Sequence, residues 1–219
     1  MDRSKIVLIL PAKNEEKTID KVLNELVKIS NIILINDFSK DNTYKIATKY
    51  NINIINNSKN IGYQNSILKG LIEAKKLNYN YAITFDADGQ HLKEDIKLFI
   101  YQFEKGYDLV IGQRNFFNRF SEKLLSIFSY KYINTRDIIS GMKGYNLNIL
   151  QSDNLNYKIN TYCSELCYDI IKNDNCNFIN IPINVIKRKD KSRLGNSFRV
   201  NIRILLIIYY LFIKIYKKK

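Results

Sequence analysis

"YAITFDADGQH" (residues 81–91) closes an apolar run on two carboxylates two positions apart, Asp86 and Asp88. The run has the look of a strand buried on both faces, as in parallel sheets. In an extended chain that spacing puts both carboxylates on one face. Like charges held so close repel, and the arrangement is costly unless a cation lies between them. Mg²⁺ or Mn²⁺ suits such a pair, because hard ions prefer carboxylate oxygens and share them with phosphates. Gln90 offers a carbonyl oxygen from the same side. The alternative is a plain turn, since Asp88-Gly89 is a common turn pair.

Outward from this stretch, short apolar runs alternate with amphipathic ones. IVLIL (6–10), NIILIN (31–36), INII (52–55), YAITF (81–85) and YDLVIG (107–112) read as strands. Helical segments are expected over 15–29, with Ile19, Val22, Leu23, Leu26 and Val27 on one face, and over 39–50, 65–77 and 94–106. Gly106 is the expected C-terminal stop of the last. Alternation of this kind means βαβ units, hence an α/β fold with a mostly parallel sheet and helices on both faces. Ligands of such sheets bind beyond the carboxyl ends of the strands. That is where the polar clusters fall: PAKNEE, NDFSKDN, DADGQH and GQRN. After about residue 115 the alternation weakens. Helical stretches (116–134 and 161–173) surround SGMKGYN, and 177–187 reads as a late strand. A nucleotide-binding front and an acceptor-binding back in one unit are expected.

The formal charge of +14 is unevenly spread: residues 187–219 hold 11 Lys or Arg against one acid, Asp190. No nucleic-acid-binding module is recognisable, so a nucleic-acid partner is not expected. The three cysteines, Cys163, Cys167 and Cys176, form no CxxC pair and read as core thiols in a reducing setting. MDRSKIVLILP has too short an apolar run for a signal peptide. In RVNIRILLIIYYLFIKIYKKK the apolar run from Ile204 to Ile213 is ten residues, well under the roughly 20 that span a bilayer. With its cationic flanks this segment (201–219, after a domain of 1–200) suits contact with an anionic membrane surface. A helix packed on the domain, or a homo-oligomer contact, is the alternative.

Seven motifs, taken in order, resemble those of the family 2 glycosyltransferases of GT-A fold, most closely the dolichol-phosphate mannose synthases and other polyprenyl-phosphate sugar transferases. They are LPAKNEE, LINDFSKDNT, NNSKNIGYQNSILKG, DADGQH, TRDIISGMKGYN, TYCSEL and IKRKDKSRLG. The resemblance implies a nucleotide-sugar donor, GDP- or UDP-linked, and a polyprenyl phosphate acceptor at the cytoplasmic face of a membrane. It implies that Pro11, Ala12, Asn14 and Glu15 line the base and ribose pocket, and that Asn60 lies in the donor loop. Asp37 would hold the base edge, a bidentate task that suits a carboxylate. Asp86, Asp88 and Gln90 would hold the metal. Arg114, Arg136, Ser140, Arg188 and Lys191 would meet donor or acceptor phosphates, although Arg136 also suits a solvated surface site. Departures fall in both parts: Lys13 stands for an aromatic, Asn36 for Asp and Phe38 for Gly on the donor side, Met142-Lys143 for Phe-Arg and Arg193 for Lys on the acceptor side.

The implied reaction is attack of an acceptor oxygen on the anomeric carbon, with inversion, while a divalent ion stabilises the departing diphosphate. A polyprenyl monophosphate, with a second pKa of about 6, is already ionised at neutral pH and needs positioning more than deprotonation. A sugar hydroxyl of a capsule or lipopolysaccharide needs a base, for which Asp137 or Glu165 is the candidate. A nucleotidyltransferase would need a Gly-rich loop that PAKNEEKT lacks. A non-catalytic scaffold would have no use for an intact Asp86, Asp88 and Gln90.

Overall fold

The structure, a computed structural model, describes residues 3–117, 119–150, 157, 160–172, 176–186 and 197–217. Among them are strands β1 (Ile6–Ala12), β2 (Asn31–Asn36), β3 (Asn53–Asn56), β4 (Tyr81–Thr84), β5 (Leu109–Arg114), β6 (Lys143–Asn146) and β7 (Phe178–Ile183). They form one sheet in the order β3-β2-β1-β4-β6-β5-β7. Every pairing is parallel except those of β6, which runs antiparallel between β4 and β5. The helices are α1 (Ile19–Leu26), α2 (Thr43–Ala47), α3 (Tyr63–Lys76), α4 (Ile96–Glu104), α5 (Phe120–Ile133), α6 (Ser164–Ile171) and α7 (Ser197–Lys217).

The unbroken apolar runs arise because each strand feeds two cores. Val7 and Ile9 of β1 face a core completed by α3, α5, α6 and α7, whereas Ile6, Leu8 and Leu10 face one completed by α1 and α4. Each such side chain contributes about 1.5–3 kcal/mol when fully buried. On α1 the expected stripe of Ile19, Val22, Leu23 and Leu26 is buried. Val27, expected on the same face, is instead exposed, because the helix ends at Leu26 and Val27 caps it. Gly106 follows α4 at φ 87°, a left-handed stop that glycine takes without strain.

Three features depart from the sequence expectations. First, β4 ends at Thr84, so Asp86 and Asp88 do not continue an extended strand. Asp88 lies in a turn that Gly89 closes at φ 75°, and Asp88 Oδ1 accepts the Gln90 N–H at 3.0 Å. The turn reading therefore holds for the backbone, whatever the side chains bind. Second, KGYN within SGMKGYN is a buried central strand. It lacks β-branched residues because Gly144 packs under Phe99 and Phe103, where an added Cβ would lie 2.5 Å from Phe103 Cζ. Third, a boundary between 200 and 201 falls inside α7. That helix buries Val200, Ile204, Ile207 and Leu211 in the first core and lies beside α5, with Ser121 Oγ donating to Asn201 Oδ1 at 2.5 Å. Among the described residues no helix is long and apolar enough to cross a membrane.

The cysteines are free, as expected of core thiols, with Cys163 and Cys167 buried and Cys176 partly so. Burial pushes the Cys163 thiol up to about 12, far from a reactive thiolate.

Candidate active site

Strand order reverses between β1 and β4: the chain goes from β1 to β2 and β3 on one side, then returns to β4 on the other. A crevice opens at the carboxyl ends of strands at such a switch point. β1 ends on Pro11 and Ala12, still paired with Ile35 and Asn36 of β2, and the loop after it turns at Asn14, whose φ is 55°. Asn14 and Glu15 bind this loop to the one after β2. The Asn14 N–H donates to Ser39 Oγ at 3.0 Å, its Oδ1 accepts the Lys40 N–H at 2.8 Å, and the Glu15 N–H donates to Thr43 Oγ1 at 2.7 Å. Thr18 Oγ1 then donates to Ala87 O at 2.9 Å, joining this front to the carboxylate turn.

Asp37 faces the loop before α3. Its Oδ1 accepts the Ile61 N–H at 2.7 Å, and its Oδ2 the Gly62 N–H at 2.9 Å, a pairing Asn60 Oδ1 supplements at 3.2 Å. The carboxylate expected to hold a base edge is thus already shaping the Asn60–Gly62 loop. Gly62, at φ 86°, allows the loop to turn both amides toward it.

Asp86 is held by two side chains. The Tyr63 hydroxyl donates to Oδ1 at 2.8 Å, and His91 Nε2 lies 3.1 Å from Oδ2. Burial pushes its carboxyl up, but the His91 and Tyr63 contacts and the nearby Lys143 charge outweigh this and hold it below its ordinary value. It is therefore a carboxylate at neutral pH, with 28% of its side chain still open. Gly141 packs directly on it: an added Cβ would overlap Asp86 Oδ2 and stand 3.0 Å from His91 Nε2. Thr84 Oγ1 fixes Gly141 by donating to its carbonyl at 2.7 Å. Lys143 Nζ, buried, donates to Ser140 O at 2.6 Å.

The donor set fits a hard divalent ion. Asp86 keeps its charge and part of its surface, and Asp88 follows in the same turn. Gln90 is anchored by Nε2 donating to Ile186 O at 2.9 Å, an amide hydrogen bond that leaves the side-chain carbonyl oxygen as a ligand atom. Among the described residues no group of three His, Cys, Asp or Glu gathers as a metal site, so an amide oxygen and substrate phosphates would have to complete the shell.

At the back of the site both candidate bases are paired with cations. Asp137, its side chain wholly enclosed, accepts from Arg114 Nε at 2.7 Å, Arg114 Nη2 at 2.9 Å and the Arg114 N–H at 3.1 Å. Although burial opposes the charge, Asp137 drives the Arg114 guanidinium well above its ordinary value. Glu165 turns away toward α7, where its Oε1 accepts from the Tyr210 hydroxyl at 2.6 Å and from Lys214 Nζ at 2.8 Å. Lys214 also pairs with Asp169 at 2.7 Å. Asp137 is thus fully engaged, whereas Glu165 is paired through Oε1 alone and keeps Oε2 enclosed without a hydrogen-bond partner. Each holds a cation in place, because leaving the cation unpaired in a buried position is costly. Ser140 is buried beside Met142, and Arg136 is exposed with its guanidinium 4.7 Å from the Tyr130 ring centre. Arg188 and Lys191 lie outside the described residues.

Several residues at the site were not singled out from sequence. His91 stood inside the quoted DADGQH stretch and Tyr63 just after the donor loop. Gln64, which accepts the Thr161 and Cys163 N–H groups at 2.8 and 3.0 Å, is tied to positions nearly a hundred residues away. Lys214 and Tyr210 come from the tail. Only the fold brings these to the site.

Sheet order and the carboxylate turn beside its switch point define a nucleotide-diphospho-sugar transferase fold of GT-A type, and solved structures match it. Glucosyl-3-phosphoglycerate synthase from Mycobacterium tuberculosis, crystallised with Mn²⁺ and uridine diphosphate, superposes with a TM-score of 0.64 at 17% identity, over 93% of this chain and 79% of that one. The model of glycosyl transferase family 2 matches residues 7–159, and the chain belongs to that family. It is 31% identical to UDP-N-acetylglucosamine–dolichyl-phosphate N-acetylglucosaminyltransferase of Methanococcus voltae, over 91% of this chain and 92% of that protein. It is 26% identical to dolichol-phosphate mannosyltransferase of Pyrococcus furiosus, over 50% of this chain and 33% of that protein.

Proposed function

We propose that this glycosyltransferase moves a sugar from a nucleotide-diphospho-sugar to a polyprenyl phosphate at the cytoplasmic face of a membrane. One observation carries the reading. The nominated bases, Asp137 and Glu165, are both bound to cations. An acceptor that arrives already ionised needs neither. The likeness to the dolichyl-phosphate transferase over nearly the whole chain supports the same acceptor class.

Asp86 and Asp88, with the Gln90 carbonyl oxygen, would hold Mg²⁺ or Mn²⁺, which when bound neutralises charge on the diphosphate. The loops after β1 and β2 line the donor side with Pro11, Ala12, Asn14 and Glu15, while Asp37 shapes the Asn60–Gly62 loop beneath the nucleotide. Tyr63 and His91 keep Asp86 oriented. Arg114, its Nε and Nη2 fixed on Asp137, turns its remaining N–H groups toward phosphate. Ser140, Arg136, Arg188 and Lys191 complete the acceptor side. An acceptor phosphate oxygen forms the new bond to the anomeric carbon as the bond to the diphosphate breaks, and the nucleoside diphosphate leaves with that electron pair.

The test is a panel of UDP- and GDP-sugars incubated with polyprenyl phosphate and Mn²⁺, scored as labelled lipid. Transfer abolished by EDTA is expected. Glu165→Ala should be mild with a lipid phosphate. A severe loss on a glycan hydroxyl acceptor, with no labelled lipid, would move the assignment to a hydroxyl-directed enzyme. Absence of metal-dependent donor binding would point to a scaffold.

A further inference from the structure

We propose that the joint outer face of α5 and α7 is a docking surface for an anionic lipid bilayer. The inference deepens the lipid-phosphate reading, and it stands on a different part of the molecule. α7 is about 30 Å long and is apolar on two sides. Its inner side is the buried row of Val200, Ile204, Ile207 and Leu211. Its outer side carries Ile202, Leu205, Leu206, Tyr209 and Phe212, between 42% and 64% exposed. A helix packed on one domain needs only the first row. Among the described residues no element covers the second.

α5 extends the same face. Ser121 meets Asn201 near the start of both helices, and the Tyr132 and Tyr216 rings are 6.4 Å apart near their ends, so the two run side by side in the same direction. On its outer side α5 shows Phe120, Ile127 and Tyr130, at 74%, 68% and 52% exposure. Bulky apolar side chains over two neighbouring helices make a patch of a kind that marks an interaction site.

Charge selects the partner. α7 contains no Asp or Glu, and Arg199, Arg203 and Lys217 follow one edge of its outer face. On α5, Lys123 and Lys131 are exposed, and its acid, Glu122, is buried against Arg119. The face is thus apolar with a purely cationic rim. A second copy would bring the same rim against itself, whereas anionic headgroups complement it. Lys214, on the inner flank, is held by Glu165 and Asp169, so the docking helix is fastened to α6 rather than merely trailing from it.

The experiment is flotation of the full chain with vesicles of phosphatidylcholine alone or mixed with phosphatidylglycerol, in low and high salt. The wild type should float with the mixed vesicles and less so in high salt. Leu206→Asp/Tyr209→Asp should lower binding by about tenfold or more. Arg199→Glu/Arg203→Glu should abolish the preference for phosphatidylglycerol. Both variants should keep the wild-type melting curve and full turnover on a water-soluble short-chain prenyl phosphate. Equal flotation of Leu206→Asp/Tyr209→Asp and wild type overturns the proposal. So does a wild type that ignores vesicles but forms a dimer that Leu206→Asp/Tyr209→Asp dissociates. Vesicle binding without transfer to any prenyl phosphate would retain the docking face and sink the acceptor assignment alone.

Discussion

Asp86 and Asp137 stand near the same carboxyl edge of the sheet and are held in different ways. Asp137 is enclosed and gripped by the Arg114 fork, so its charge is cancelled within the protein. Asp86 is held by the Tyr63 hydroxyl and the His91 ring with 28% of its side chain open, so it is oriented and still reachable. A reachable, ordered carboxylate is a site for something that arrives; an enclosed one gripped by a guanidinium is framework. The same contrast separates the halves of the molecule. The front offers charge to a ligand, and the back has spent its acids on its own cations.

The sharpest way to break this contrast is at the framework carboxylate. Asp137→Ala strands a largely buried guanidinium, and removing one partner of such a pair costs about 3–5 kcal/mol. We expect a large drop in denaturation midpoint, with loss of activity following loss of fold. The ligand-facing carboxylates should behave in reverse. Asp88→Asn should leave the melting curve close to wild type while lowering transfer on the order of a hundred- to a thousandfold, the scale for removing one electrostatic stabiliser of a developing charge. If Asp88→Asn unfolds the protein, or retains turnover in EDTA, the division between arriving and resident cations is wrong.

Gly141→Ala tests how tightly the two regions meet. The new methyl would overlap Asp86 Oδ2, and Thr84 holds the Gly141 carbonyl so the backbone has little freedom to retreat. Overpacking of this kind costs about 1–3 kcal/mol. Part of that should appear as weaker Mn²⁺-dependent donor binding, measured by titration calorimetry, because Asp86 is the atom displaced.

How much of this could be read in the chain depends on how local each contact is. The carboxylate turn, the Asn60–Gly62 loop and the strand runs are set by neighbours in sequence, and residues 81–91 carry them openly. Even there the extended geometry does not hold, because the strand stops at Thr84 and Asp88 already lies in the turn that Gly89 closes. β6 escaped notice since its fitness for a central position comes from Gly144 fitting beneath Phe99 and Phe103, residues from α4. The partners of Asp137 and Glu165 were equally hidden. Arg114 lies 23 residues before Asp137, and Tyr210 and Lys214 lie 45 and 49 after Glu165. A candidate base and a structural anchor look alike until the cation beside it is known.

The smallest effect concerns that last anchor. The Glu165 carboxylate, by accepting its hydrogen bond, pushes the Tyr210 hydroxyl up to about 12, from an ordinary 10.0. Lys214 is likewise raised above its ordinary value, because Asp169 and Glu165 outweigh the burial that opposes its charge. Both groups hold a proton more firmly folded than unfolded. Their contribution to stability is therefore complete below pH 10 and declines as the pH rises toward 12. Tyr210→Phe should cost about 1 kcal/mol near neutral pH, the worth of one hydrogen bond. It should also flatten the alkaline loss of stability seen by chemical denaturation between pH 10 and 12. An unchanged alkaline slope in Tyr210→Phe would mean that α7 is held by its buried row alone, and that the Glu165 contact does not fasten it to the back of the site.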